Sequence, residues 1–291
     1  MTIQWFPGHM AKARREVTEK LKLIDVVLEL LDARLPLSSR NPMMDEIVQK
    51  KPRLILLNKS DLADSRATAL WVARFAEQGI PAVVIDAAHG SGLKEIQVEV
   101  NRLAATKQAS LAKKGIRPRA VRAMILGIPN VGKSSLINRM AKRSATATGD
   151  RPGVTKAQQW IRVGTAFELL DTPGILWPKF DDPATGLRLA ASGAIKSQLL
   201  DHEDVVYHLL TWLGERYPDR LAARYGLTDL SQPVHEWLQR IGEKRGAIRQ
   251  GGIVDTDAAA LAVLRDFQTG ALGRITLEWP GEDSGDGEAS R

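Results

Sequence analysis

The chain contains no cysteine, which excludes disulfides, thiolate nucleophiles and cysteine-ligated zinc together. No apolar run approaches the roughly 18–20 residues needed to cross a bilayer. The opening stretch, MTIQWFPGHMAKARRE, holds no apolar segment of the kind a secretory signal requires. A cytoplasmic protein that meets no membrane is the expectation. Carboxylates are also missing from Val100 to Gly149, where eleven lysines and arginines stand without one acid. Such a stretch argues against an ordinary mixed surface and for a polyanionic partner, although charge alone does not choose between RNA and DNA.

What is present is a folded protein's composition: 291 residues, 44% apolar and 26% charged. That length buries one good core and a smaller second one. Net charge is +7, yet the last eleven residues, GEDSGDGEASR, hold four acids and one arginine. The remaining body therefore carries +10.

Short branched-rich apolar runs at 24–31, 53–57 and 82–85 alternate with helical patterns near 64–78 and 91–105. This alternation predicts parallel strands covered by helices on both faces. It resumes with a strand at 121–126, a helix after it, and a strand pair at 157–163 and 166–170 around Gly164. The basic segment 106–120 lacks apolar rhythm and is expected to be a linker. Beyond about residue 185 only helical spacing is left, at 186–200, 203–217, 232–244 and 256–267. The expected architecture is an α/β domain over 1–184, a small helical domain over 185–280, and a disordered acidic tail over 281–291.

Three motifs carry the chemistry. Gly127-x4-Gly132-Lys133-Ser134 lies between a strand and a helix, the setting a phosphate-binding loop requires. Its glycines let backbone N–H groups, among them those of Asn130, Val131 and Gly132, turn toward phosphates. The following helix, opening at Lys133, Ser134 and Ser135, presents its positive end. Lys133 is expected to reach the β- and γ-phosphates and Ser134 to ligate Mg²⁺. Asp171-Thr172-Pro173-Gly174 closes the strand FELLD, with Asp171 expected at Mg²⁺ and the Gly174 N–H at the γ-phosphate. Between these two motifs, Thr155 is expected to complete the metal and γ-phosphate site, with Thr146 and Thr148 as competitors.

Asn58-Lys59-Ser60-Asp61 ends another apolar strand. The Asp61 carboxylate can accept from both N1–H and the exocyclic amine of guanine, a pattern adenine does not offer. Asn58 is expected to brace the loop and Lys59 to cover the base. Asp86-Ala87 is expected to form the loop in which a backbone N–H meets guanine O6. These motifs imply GTP and GDP as ligands, but their order is rotated. The guanine motif comes first and the phosphate loop follows 69 residues later. The fold expected is therefore a circularly permuted P-loop GTPase domain.

With WFPGHMAKA at 5–13, DARLPLSSRNP at 32–42, RGAIRQGGIVD at 245–255 and DFQTGALGRITLE at 266–278, the permuted set resembles the YlqF-type circularly permuted GTPases over almost the whole chain. The resemblance implies a GTP-hydrolysing factor, weak alone, that engages a late precursor of the large ribosomal subunit and leaves on hydrolysis. It implies contact with rRNA, for which Lys113, Lys114, Arg117, Arg119, Lys244, Arg245 and Arg249 are the candidates. Ile175 occupies the position where a water-orienting glutamine is common, and the resemblance makes His9 its substitute. In similar GTPases an asparagine placed as Asn130 holds K⁺ beside the phosphates. The competing reading is a nucleotide-gated RNA scaffold with negligible turnover, and a monomer is expected in either case.

Overall fold

A computed structural model describes residues 15–48, 51–116, 119–145, 160–163, 167–170, 172, 182–195 and 201–281. A helix α1 over 15–21 leads into β1 (Val26–Asp32), α2 (Met43–Val48), β2 (Arg53–Asn58), α3 (Ser65–Glu77), β3 (Ala82–Val84) and α4 (Leu93–Lys113). The second half supplies β4 (Val121–Leu126), α5 (Lys133–Ala145), β5 (Trp160–Val163) and β6 (Phe167–Leu170). The six strands form one sheet in the order β3-β2-β1-β4-β6-β5, parallel throughout except for β5.

The central strand β1 is buried at every position, as VVLELLD must be when helices cover both faces of a parallel sheet. Its alternate residues sort by face. Val26, Leu28 and Leu30 join a core with residues of α4 and α5. Val27 packs with Val17 and Leu21 of α1, and Leu31 with Trp71 and Phe75 of α3. The two chain halves meet where β1 pairs with β4, which is also where the strand order reverses direction. In open α/β sheets, ligands bind outside the carboxyl ends of the strands at that switch point.

The segment 106–120, expected to be a linker, is helical as far as Lys113. Its Lys, Gln, Ala and Leu residues favour helix without needing an apolar stripe. The helix stops where Gly115 takes φ +71° and its N–H caps the Ala112 carbonyl at 3.0 Å. The helical C-terminal region comprises α6 (Pro183–Ala191), α7 (His202–Arg216), α8 (Pro218–Tyr225), α9 (Val234–Arg245) and α10 (Thr256–Thr269). Helix α8 is not expected from the periodicity. It starts with Pro218 in its first turn and ends on Gly226 in the left-handed conformation, a short helix defined by its ends. The acidic tail beyond Gly281 lies outside the described residues, and no described helix is long and apolar enough to span a membrane.

After α10 the chain returns to the α/β domain. Ile275 N–H donates to Leu62 O at 2.9 Å and Leu277 N–H to Arg34 O at 2.7 Å. Thr276 Oγ1 accepts from Asp64 N–H at 3.0 Å. The fully buried Glu278 carboxylate accepts from the amides of Leu37 (2.6 Å) and Ser38 (2.9 Å) and from the Ser38 hydroxyl. Arg188 of α6 stands 3.5 Å from it. Removing a carboxylate so placed leaves buried donors and a buried guanidinium without their acceptor. Glu278→Ala is therefore expected to destabilise the fold by about 3–5 kcal/mol. Glu278→Gln, which keeps an acceptor oxygen, should lose less, and urea denaturation of the two variants checks the order.

Candidate nucleotide site

The loops after β1, β2, β3 and β4 gather at one pole of the sheet, and hydrogen bonds from Asn58 join three of them. Its side-chain nitrogen donates to Val131 O of the phosphate loop at 2.8 Å. Its side-chain oxygen accepts the Ala87 N–H at 2.9 Å. The guanine motif, the loop after β3 and the phosphate loop are thus braced by one buried amide. The Ala87 N–H is thereby held by Asn58. The next two amides, of Ala88 and His89, both donate to Asp86 Oδ1 at 2.9 Å.

Asp86 also lies 2.6 Å from His89 Nδ1, and together with Asp61 these groups converge within 4.8 Å. Burial alone would raise the Asp86 carboxyl, but the hydrogen bonds from His89 and Ala88 hold it below its usual value. Arg139 of α5 reaches across to the Ala88 carbonyl and fixes this loop from the phosphate side.

Lys59 stands in the left-handed region at φ 61° and its ammonium lies 2.9 Å from Asp32 at the end of β1. Asp32 is also gripped by Arg34, with contacts of 3.0 Å from Nε and 2.8 Å from Nη2. Burial works against the charged form of Asp32, but Arg34 and Lys59 outweigh it and hold the carboxyl well below the ordinary range. The Arg34 guanidinium then stacks on Phe267 of α10 at 4.7 Å and donates to the Phe267 carbonyl at 3.3 Å. A continuous chain of charge contacts therefore joins the guanine motif to the helical region. This pair is not singled out by the sequence reading, although the Asp and Arg of DAR at 32–34 are the available signal.

In the phosphate loop, Asn130 takes φ 57° and Gly132 φ 106°. A Cβ on Gly132 would stand 2.3 Å from Asn58 Nδ2, so only glycine lets the loop lie against its brace. Lys133 opens α5 and its ammonium donates to the carbonyls of Gly127 (2.9 Å) and Ile128 (2.7 Å), which keeps the charge in the mouth of the loop. Ser134 and Ser135 follow, exposed in the first turn of α5. A hydroxyl at that position, at the positive end of a helix, fits the donor set that Mg²⁺ on a phosphate requires. Asn130 donates its side-chain amide to Gly193 O, just beyond α6, at 2.8 Å, which leaves its oxygen as the atom suited to a monovalent cation. Strand β6, which ends at Leu170, is parallel to β4, and Thr172 is buried and donates to Ile125 O. His9, Thr155, Asp171 and Gly174 lie outside the described residues.

Loops from both chain halves thus meet at one pole of the sheet, and known proteins are similar to the chain as a whole. The family described as 50S ribosome-binding GTPase matches residues 122–248. Ribosome biogenesis GTPase A of Bacillus cereus is 57% identical over 282 residues, covering 97% of this chain and 95% of that one. The chain belongs to the ribosome biogenesis GTPase A family. It is a guanine-nucleotide-binding GTPase with the permuted fold. Mitochondrial ribosome-associated GTPase 1 of Xenopus tropicalis is 32% identical, covering 94% of each chain. GNP-bound YlqF from T. maritima superposes with a TM-score of 0.64 at 27% identity, covering 93% of this chain and 99% of that one.

Among the candidate RNA contacts, three are held by acids. Arg119 makes two bonds to Asp25 (2.8 and 2.9 Å), Arg245 lies 3.2 Å from Asp266, and Arg249 is 2.8 Å from Asp255. Lys113, Lys114 and Lys244 are exposed, and Arg117 lies outside the described residues. For the nucleotide, the decisive test is Gly132→Ala. Its Cβ must displace Asn58 or the loop, and loss of GDP binding by at least about tenfold (1.4 kcal/mol) is expected. Fluorescent-GDP titration checks this, and retained affinity would mean that the loop moves freely of Asn58.

Proposed function

We propose that this GTPase binds a late precursor of the large ribosomal subunit through its rRNA and is released when GTP is hydrolysed. The observation that carries the reading is that the nucleotide loops touch the helical region at both ends. Asn130 of the phosphate loop holds Gly193 O beside α6, and Lys59 reaches α10 through Asp32, Arg34 and Phe267. A change at the phosphates is thus transmitted to the joint that orients the helical region, the kind of coupling that turns hydrolysis into a change of partner affinity. The names of the relatives support a ribosomal partner, and the +7 net charge favours a polyanion.

In this reading Asp61 accepts from the guanine N1–H and amine, and the Ala88 N–H passes from Asp86 to O6. Lys133 neutralises the β- and γ-phosphates. Ser134 with Asp171 and Thr155 would hold Mg²⁺, and the Asn130 oxygen K⁺; these ions would supply positive charge at the transferring phosphoryl group. His9 orients the attacking water in place of Ile175. The protein acts as a monomer.

GTP turnover measured in K⁺ buffer should be slow alone, rise with purified large subunits and not rise with small subunits. Replacing K⁺ by Na⁺ should lower the stimulated rate, and His9→Ala should remove most of the stimulation while leaving GTP affinity unchanged. A protein that binds GTP tightly yet gains nothing from large subunits would be a nucleotide-gated scaffold instead.

A further inference from the structure

The positive charge of this chain is not where a helical RNA-binding domain would place it. Residues 1–184 carry a formal +11, whereas residues 185–280 carry −1, which with the tail's −3 gives the chain's +7. In the helical region acids outnumber the cations. Arg224 and Arg245 share the buried Asp266, and Arg249 is on Asp255. The surplus therefore belongs to the α/β domain.

Part of it is concentrated at the pole where the parallel strands begin. Asp25 precedes β1, Arg119 precedes β4, Lys51 precedes β2, and Lys107 lies in the last two turns of α4. Arg119 binds Asp25 with two bonds, Arg122 N–H adds a third at 2.9 Å, and Lys107 lies on the same carboxylate. Lys51 sits beside them with its ammonium on the Ile24 carbonyl at 2.8 Å. One buried carboxylate thus pairs with two cations while a third stands beside it. Lys51 feels the excess: burial and the charge of Lys107 both lower its affinity for its proton. Lys113 and Lys114 extend the patch along α4, exposed, with Lys114 two turns and about 10 Å beyond Lys107.

Like charges held together cost energy unless a partner offsets them. A row of separate cations spread over about 10 Å fits a chain of phosphates better than one small anion. The strands are about 20 Å long, so this pole stands that far from the nucleotide loops. We propose that Lys51, Lys107, Lys113, Lys114 and Arg119 form an RNA-backbone-binding surface at the pole of the α/β domain opposite the nucleotide, and that this surface, not the helical region, supplies most of the electrostatic affinity. The choice of RNA rests on the ribosomal reading above.

The test compares three full-length proteins: wild type, the triple variant Lys51→Ala/Lys113→Ala/Lys114→Ala, and a control, Arg240→Ala/Lys244→Ala, in the helical region. Each is titrated with a short labelled RNA duplex over a series of KCl concentrations, with purified large ribosomal subunits in the presence of a GTP analogue, and with phosphatidylserine vesicles. Thermal unfolding reports that each variant is folded. If the triple variant is not, Lys113→Glu/Lys114→Glu, two exposed positions, replaces it.

The expected result is an affinity for RNA and subunits lower by about tenfold or more in the pole variant. Its salt dependence should be shallower by about one unit of log–log slope for each phosphate no longer neutralised. The control should bind nearly as wild type does. Wild-type-like binding by the pole variant, with weakened binding in the control, overturns this surface and leaves the ribosomal reading standing. Pole-dependent binding to the duplex without binding to subunits keeps the surface and removes the ribosomal reading. Binding to phosphatidylserine vesicles but not to RNA overturns the proposal in favour of a lipid surface.

Discussion

The side-chain amide of Asn58 is the constraint on which the nucleotide site depends. Rotating the chain order places the guanine motif in the first half of the α/β domain and the phosphate loop in the second. The two are then held in register only by tertiary contacts, chiefly the β1–β4 pairing and the Asn58 bond to Val131 O. Because the other end of that amide accepts the Ala87 N–H, the base loop is positioned by the same group. An amide can do this where a carboxylate cannot, since it donates to one loop while accepting from another. The glycine at position 132 is the other half of the contact, leaving room for the amide that a side chain would occupy.

Much of this is legible from residue types. The phosphate loop, the guanine motif and the strand ends that carry them each require particular side chains at fixed spacing, so Gly132, Lys133, Asn58 and Asp61 can be named without coordinates. Backbone roles leave no such mark. The Asp86-Ala87 pair marks the loop expected at the base, but nothing in the residue types says that the Ala87 N–H is given to Asn58. The helical periodicity of α4 fades at residue 105 because its last turns have no apolar stripe, although their composition favours helix. Ion pairs are the least legible part. Arg119 meets Asp25 across 94 positions, and nothing local predicts that partner.

The two poles of the sheet carry different chemistry. At the carboxyl ends of the strands, amides, a helix end and Lys133 are arranged around a small ligand. At the opposite ends, cations crowd around one carboxylate. Helix α4, which leads into the join between the rotated halves, runs from one pole toward the other. As far as Lys113, the join made necessary by the permutation is therefore helix.

The return of residues 275–278 to the loops after β1 and β2 has a consequence for how the protein is made. Glu278 is separated by 241 positions from Leu37, whose amide it binds, so this contact has nearly the greatest sequence separation the chain allows. Contacts of that kind form late, because the intervening chain must be closed first. During synthesis the strands of the first half emerge and can pair long before their last clasp exists. A chain released short of Glu278 would keep every nucleotide motif yet lack the carboxylate that caps the loop at Leu37 and Ser38. The clasp at Glu278 is thus among the last contacts of the fold that synthesis can complete.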